Sequence, residues 1–546
     1  MAMRLSVLIF FFSLSPAVIF SQASYKYWVE FTDKKFNEYS TSHPEKFLSP
    51  AALLRRQRQH IPVTEVDLPV SSCYLDSIRK KGLPVIAVSK WLNGVIVAVE
   101  DTETINLIRP LSFVKEIKLV ALPSLKRSRA DSLKPAHSLQ ICNTPSLYGA
   151  SEKQITLMNG HCLHQMGFRG KGMLIAVLDA GFFRVDSFRA FDSLRAHGKI
   201  IATRDFVNPA RPFYATHSHG MSVLSLMGGN VPDTLTGTAP DASYALIITE
   251  DADSEYPVEE YLWACGAEYA DSLGADIINS SLGYSSFDDA RMNHRYADMN
   301  GETTPCARAA ALAALRGMIV CISAGNEGGK SWNKIITPGD AKYCLTLGAV
   351  DSLGRYASFS SRGPSADGRI KPDLCTMGAL AFVQTWNGQF GRGNGTSFAS
   401  PLAAGMVASL WQAFPEKTNF EIMNAIRLSA SLALNPNDSM GYGIPDFDKA
   451  FTILNQAVYP VNQPSGVNLW PNPFHDWLHI GFNSIVEEPF TVELIDLGGT
   501  IVYSHVQEAP YASHWHLMMP ATLKKGFYLC RISSGQDVFL FKIIKQ

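Results

Sequence analysis

The sequence predicts a chain of three folded parts. The largest is an α/β domain, a parallel sheet covered by helices; a small α+β unit precedes it and an all-β sandwich follows. Three observations predict this. Between about residues 145 and 455, continuous apolar runs (MLIAVLDAG, YALIITED, ADIINSSLG, MIVCISAGN, YCLTLGAVD) alternate with Ala-rich helical stretches such as VEEYLWACGAEYADSLG and ARAAALAALRG. Strands lacking polar alternation need cover on both faces, as in a parallel sheet between helix layers. Ahead of this, strand-like YKYWVEF and LPVIAVSKWLNGVIVAVE are interleaved with helical AALLRRQRQ and CYLDSIRKK. Behind it come WLHIGF, FTVELIDLGGTIVYSHV, GFYLCRIS and DVFLFKIIK, short strands with turn signals between them.

Taken in order, residues 1–23 have one basic residue, Arg4, an apolar run, and small residues near Ser21 and Ala23. That is the layout of a secretory signal peptide, and Ser13 and Pro16 argue against a membrane anchor. No later stretch has the length and purity of a membrane span, so the mature protein is expected to have no transmembrane segment. Residues 24–122 form the α+β unit. Residues 123–144 lack apolar periodicity and carry Lys126-Arg127, which suits an exposed linker or processing site. The α/β domain takes residues 145–455, a linker with Pro460 and Pro464 takes 456–464, and the β domain takes 465–546.

Composition sets bounds on this. The 546 residues suffice for about three or four domains. With 46% hydrophobic residues and 18% charged, the chain can bury a sizeable core. A formal net charge of −1 gives no bulk electrostatic case for nucleic acid as a partner. Nine cysteines form no CxxC pair, which disfavours a zinc ribbon. Their odd number leaves at least one unpaired within the chain, and Cys321 and Cys344 sit in apolar runs as small buried hydrophobes.

Ligands of parallel sheets bind at the carboxyl ends of the strands, and several runs here end in Asp, Asn, Ser or Gly. Ser397 stands in GRGNGTSFASP, a bare entrance to an apolar helix-like stretch. Unpaired N–H groups and the positive dipole end at such an entrance favour a developing oxyanion. A serine hydroxyl needs a neighbouring base, and His219, heading a buried helix-like segment in HSHGMSV, is the better candidate than His217. Asp179 ends the run LIAVLD before a turn glycine, Gly181, where an orienting carboxylate belongs.

VLDAGF, HSHGMSV, SSLGY, SAGNEG and NGTSFASP stand in the order and general spacing of the subtilisin-like (subtilase, S8) serine proteases, which the stretch 145–455 resembles. GTAPDASYALIIT and FSSRGP with KPDL add to the match. The resemblance implies a subtilisin-like three-layer fold and a serine endopeptidase acting on protein or peptide substrates. Ser397 would be the nucleophile, His219 the general base and then acid, and Asp179 the group fixing the imidazole's tautomer. Asn326 matches the family's side-chain oxyanion donor, with the N–H of Ser397 beside it. Ser281, Leu282, Gly283 and Gly325 match segments that pair with the substrate backbone and wall its main side-chain pocket. Two positions depart from the family pattern: Ala180 where Ser or Thr is usual, and Ser222 where a second histidine is usual. Subtilases often bind calcium for stability, yet no EF-hand-like ligand string occurs, so no metal site is expected and no cofactor is required.

The segment 24–122 resembles propeptide regions of Bacteroidetes subtilases, against the alternative of a permanent accessory domain. The C-terminal part, with LWPNPFHDWLHI, VELIDLGGTIVY, GFYLCRI and a terminal KIIKQ, resembles the sorting domain of the type IX secretion system. It implies that machinery as a partner and a product secreted or attached to the outer surface. Two rival readings are a catalytically silent binding protein on the same fold and an esterase of another fold. The second needs a G-x-S-x-G elbow that Ser397 lacks.

Overall fold

The computed structural model describes residues 24–123, 148–455 and 467–545, apart from 471, 475, 476, 487, 488, 508–511, 521 and 536. The expected signal peptide, nearly all of the basic linker 123–144 and the linker 456–464 lie outside these residues. So does Cys142; the other eight cysteines form no disulfide, and Cys321 and Cys344 are buried.

At the centre is a seven-stranded sheet. Its spatial order is Leu374–Met377, Leu345–Val350, Ile319–Ser323, Ile277–Ser280, Leu174–Asp179, Ser243–Ile248, Ile200–Asp205, with every neighbouring pair parallel. The pleat explains the continuous apolar runs. Ile175 and Val177 point to one core, with the helices His219–Gly228 and Thr396–Ala413. Ala176 and Leu178 point to the other, with the helices Val258–Leu273 and Pro305–Leu315. Strand order reverses beside Leu174–Asp179, because the chain visits the two outer strands on one side before crossing to Ile277–Ser280 on the other. Such a switch point is where open α/β sheets place their sites.

The first unit is a four-stranded antiparallel sheet ordered Val85–Ser89, Gly94–Val99, Tyr25–Phe31, Val114–Ala121. Tyr27, Val29, Phe31, Val95 and Val97 pack on its own side with Ile78. Trp28, Ile96 and Val120 face the α/β domain and join its core. The run GVIVAV is therefore apolar throughout, and all six of its residues are buried. The C-terminal part is two sheets face to face, of three and four strands. Leu478, Ile480, Val492, Leu494, Trp515, Cys530 and Ile532 lie between them. No helix among the described residues is long and apolar enough to cross a membrane.

Candidate active site

Asp179 is the last residue of its strand and is fully buried. Its Oδ1 accepts the N–H of Ala180 at 2.8 Å and stands 2.7 Å from Nδ1 of His219. Oδ2 has no hydrogen-bond partner among the described residues, and its neighbour Ala180 offers only a methyl group. His219 opens the helix His219–Gly228, and its side chain is 21% exposed, so one side of the ring reaches solvent. Two glycines allow this approach. A Cβ on Gly220 would lie 2.5 Å from the carbonyl oxygen of Gly181 and 2.8 Å from Cβ of Asp179. One on Gly181 would lie 2.4 Å from the backbone N of His217. The helix can therefore begin against the strand's end only where both side chains are missing. Ser222, one turn on, is buried and donates its hydroxyl to the carbonyl of Gln384 at 2.7 Å.

Ser397 is the second residue of the helix Thr396–Ala413. The ring of Phe398, the next residue, lies 6.4 Å from that of His219. The strands bring Ser281 to the same rim, since Ser280 pairs with Leu178, the residue before Asp179. Ser397 Oγ donates to the carbonyl of Ser281 at 3.3 Å, and Ser281 Oγ donates to the carbonyl of Ser397 at 2.8 Å. The second bond answers to Pro401 inside the helix. A proline has no N–H, so the carbonyl four residues earlier, that of Ser397, loses its helical donor and takes one from Ser281 instead.

Asn326 lies in the loop after Ile319–Ser323. Its Oδ1 accepts from the N–H of Thr396 at 2.9 Å and from Thr396 Oγ1 at 3.1 Å. Because a backbone N–H must meet an oxygen, this fixes which way the amide is turned and leaves Nδ2 as the outward donor. The Cβ position missing from Gly395 marks a space 3.6 Å from the N of Ser397 and 3.8 Å from Nδ2 of Asn326. Two donors thus converge beside the serine. Gly283 and Gly325 both back onto Ile336: added Cβ atoms would stand 2.6 and 2.7 Å from its side chain. Gly325, at φ +102°, also donates its N–H to Thr396 Oγ1 at 3.1 Å. Asp179, His219, Ser397, Asn326, Ser281, Leu282, Gly283 and Gly325 accordingly gather at the carboxyl rim of one sheet.

Three groups at the rim were not singled out from sequence. Thr396 holds Asn326, and Pro401 frees the carbonyl of Ser397; both lie in NGTSFASP, but their effect depends on partners far away in sequence. The third is Glu250, two residues beyond Ser243–Ile248, which accepts the Tyr284 hydroxyl at 2.9 Å. Burial pushes its carboxyl up to about 7, with Asp179 adding to the rise and Tyr284 and His219 opposing it. Glu250, Glu255 and Glu259 bring carboxylate oxygens within 4.8 Å of one another. Glu259 already accepts the N–H groups of Asp251 at 2.8 Å and Tyr256 at 3.1 Å, in the first turn of Val258–Leu273 where acidic groups suit the helix dipole.

The rim thus carries an acid–imidazole pair beside a helix-entrance serine, with the N–H of Ser397 and Nδ2 of Asn326 facing the same space. Residues 170–443 match the subtilase family, and the chain belongs to it. Residues 26–135 match the peptidase S8 propeptide domain of Bacteroidota, and residues 468–546 the secretion system C-terminal sorting domain, which marks the chain for export to the medium or outer surface. Among curated relatives, serine protease AprX of Bacillus subtilis is 27% identical over 309 residues, covering 51% of this chain and 64% of that protein. Subtilisin E of the same species is 28% identical over 283 residues, covering 51% and 65%. The chain thus spans a little under two thirds of these relatives' length. Among solved structures, the prenylagaramide maturation protease PagA aligns with a TM-score of 0.42 and 21% identity, over 54% of this chain and 98% of that one.

Proposed function

We propose that the chain is the precursor of an exported serine endopeptidase working through Asp179, His219 and Ser397. The observation that carries this reading is the 2.7 Å Asp179–His219 contact beside the helix entrance that presents Ser397. Asp179 holds the proton on Nδ1, so the other ring nitrogen, Nε2, is left basic. A peptide enters as an extended strand beside Ser281–Gly283. Ser397 Oγ leaves its long bond to Ser281, gives its proton to Nε2 and attacks the carbonyl carbon. The N–H of Ser397 and Nδ2 of Asn326 receive the oxyanion. The C–N bond then breaks, the amine departs with the proton from Nε2, and a water deprotonated by the same nitrogen hydrolyses the acyl-enzyme. No cofactor is needed for these steps.

The test is fluorophosphonate labelling of the exported, processed protein beside its Ser397→Ala variant, with the adduct mapped by mass spectrometry. Label on Ser397, absent from the variant and accompanied by casein cleavage, is the expected result. Folded, processed protein that takes no label and cuts nothing would make the chain a binding protein on a protease scaffold.

A further inference from the structure

Among the described residues the propeptide unit touches the α/β domain in two places. One is its sheet: Trp28 stacks on Tyr261 with ring centroids 4.4 Å apart, and Glu268 accepts the hydroxyl of Ser89 and the N–H groups of Lys90 and Trp91. The other is the helix Pro50–Arg58 with the turn after it, which reaches the carboxyl ends of Val258–Leu273 and Pro305–Leu315. Arg55 donates to Asp271 and to the carbonyls of Ala275 and Arg316, which lie just past the two helix ends. Arg56 meets Asp271 at 2.9 Å and Asp67 at 3.1 Å, and Asp67 in turn holds Arg316 at 3.0 Å. Gln59 donates to the carbonyl of Gly317 at 2.8 Å and accepts the N–H of Asn419 at 3.0 Å.

The fit is close. Gly274 follows the end of its helix at φ +87°, and a Cβ there would stand 2.4 Å from Cβ of Ala51. Cations at these helix ends also meet the negative pole of each dipole. The decisive feature is Asp271: its side chain is fully buried, and among the described residues the three cations that pair with it, Arg55, Arg56 and Lys90, all come from the propeptide unit. A buried carboxylate stripped of its partners is strongly unfavourable, and planar guanidinium matches this site of one carboxylate and several carbonyls better than ammonium does.

We infer that Ser49–Asp67 is a second lock on the propeptide, a guanidinium clamp closing on Asp271 and the two helix ends, and that this clamp governs how long the severed propeptide stays bound. The surface it leaves on the enzyme is a receptor for a helix bearing adjacent arginines. This rests on the propeptide being cut away during maturation, and the test is arranged to be independent of the chain's own activity. A full-length Ser397→Ala chain receives a recognition sequence for an added protease within residues 124–147. After cutting, dissociation of the propeptide is followed by gel filtration and by exchange against labelled propeptide. The parent should retain its propeptide, while Arg55→Ala/Arg56→Ala should release it at least about a hundredfold faster. Lysine at both positions should fall between. Asp271→Asn reads the same contact from the enzyme side and decides the matter should the double arginine variant not fold. Release within about threefold of the parent from folded Asp271→Asn or arginine-free protein would overturn the proposal, as would immediate loss of propeptide from the parent.

Discussion

Asn326 is held by what it accepts: two donors from Thr396 occupy Oδ1 and turn Nδ2 toward the space beside Ser397. On the proposed mechanism that donor acts where charge develops, so Asn326→Ala is expected to lower kcat by about a hundredfold to a thousandfold with little change in KM, a magnitude taken from subtilisin itself. Steady-state kinetics on a peptide anilide would check this; a rise in KM at unchanged kcat would make Asn326 a ground-state contact instead. Glu250 affects the same rim through its proton. Its folded value of about 7 lies above the ordinary carboxylate range, raised first by burial and then by Asp179. Between that range and about 7 the folded chain keeps a proton that the unfolded chain has released, so stability declines as pH rises through this window. Glu250→Gln should flatten that decline, gaining more over wild type at pH 8 than at pH 5 in thermal unfolding. Equal effects at both pH values would contradict the raised value.

At the scale of elements, the site depends on how closely a helix can begin against a strand. Gly220→Ala would put a methyl group 2.5 Å from the carbonyl of Gly181 and against Asp179. The helix must then back away, at about 1–3 kcal/mol of stability, and the 2.7 Å contact between His219 and Asp179 opens. Activity should fall by more than tenfold while the protein still folds, as unfolding curves and kcat/KM measured together would show. The sequence disclosed the strands that end at this rim because they are buried on both faces, so their apolar runs are unbroken. Ile200–Asp205 escaped that reading as an edge strand with mixed burial, and Leu374–Met377 because LCTM, though buried throughout, lacks the Ile or Val that each of the sheet's other buried strands carries. Asp179, His219, Ser397 and Asn326 could be picked out because short motifs carry them. Thr396, Pro401 and Glu250 could not: Thr396 meets Asn326 70 residues away, Glu250 meets Tyr284 34 residues away, and Pro401 acts through the carbonyl of Ser397, whose donor Ser281 lies 116 residues before it.

Across the whole molecule, burial separates the parts unequally. The propeptide unit shares a core with the α/β domain through Trp28, Ala87, Trp91, Ile96 and Val120. This is the larger-scale counterpart of an antiparallel strand that reads apolar on both faces. The cluster of the sorting domain draws its described residues from 467–543 alone. A β domain of this size can fold by itself but with little margin. Full-length Ser397→Ala protein should therefore show two calorimetric transitions, the lower belonging to the sorting domain. A chain ending at Asn455 should keep only the upper one. In wild-type background the shortened chain should stop short of the medium and outer surface, since the sorting domain is gone while the expected signal peptide remains, yet label with fluorophosphonate within about twofold of the full-length rate once purified. On the proposed mechanism catalysis needs the sheet, its helices and a removable propeptide, and among the described residues no side chain from beyond residue 455 belongs to the site. A shortened chain that was exported normally would move the address elsewhere. One that folded but failed to label would show that the sorting domain shapes the active site, which its self-contained core argues against.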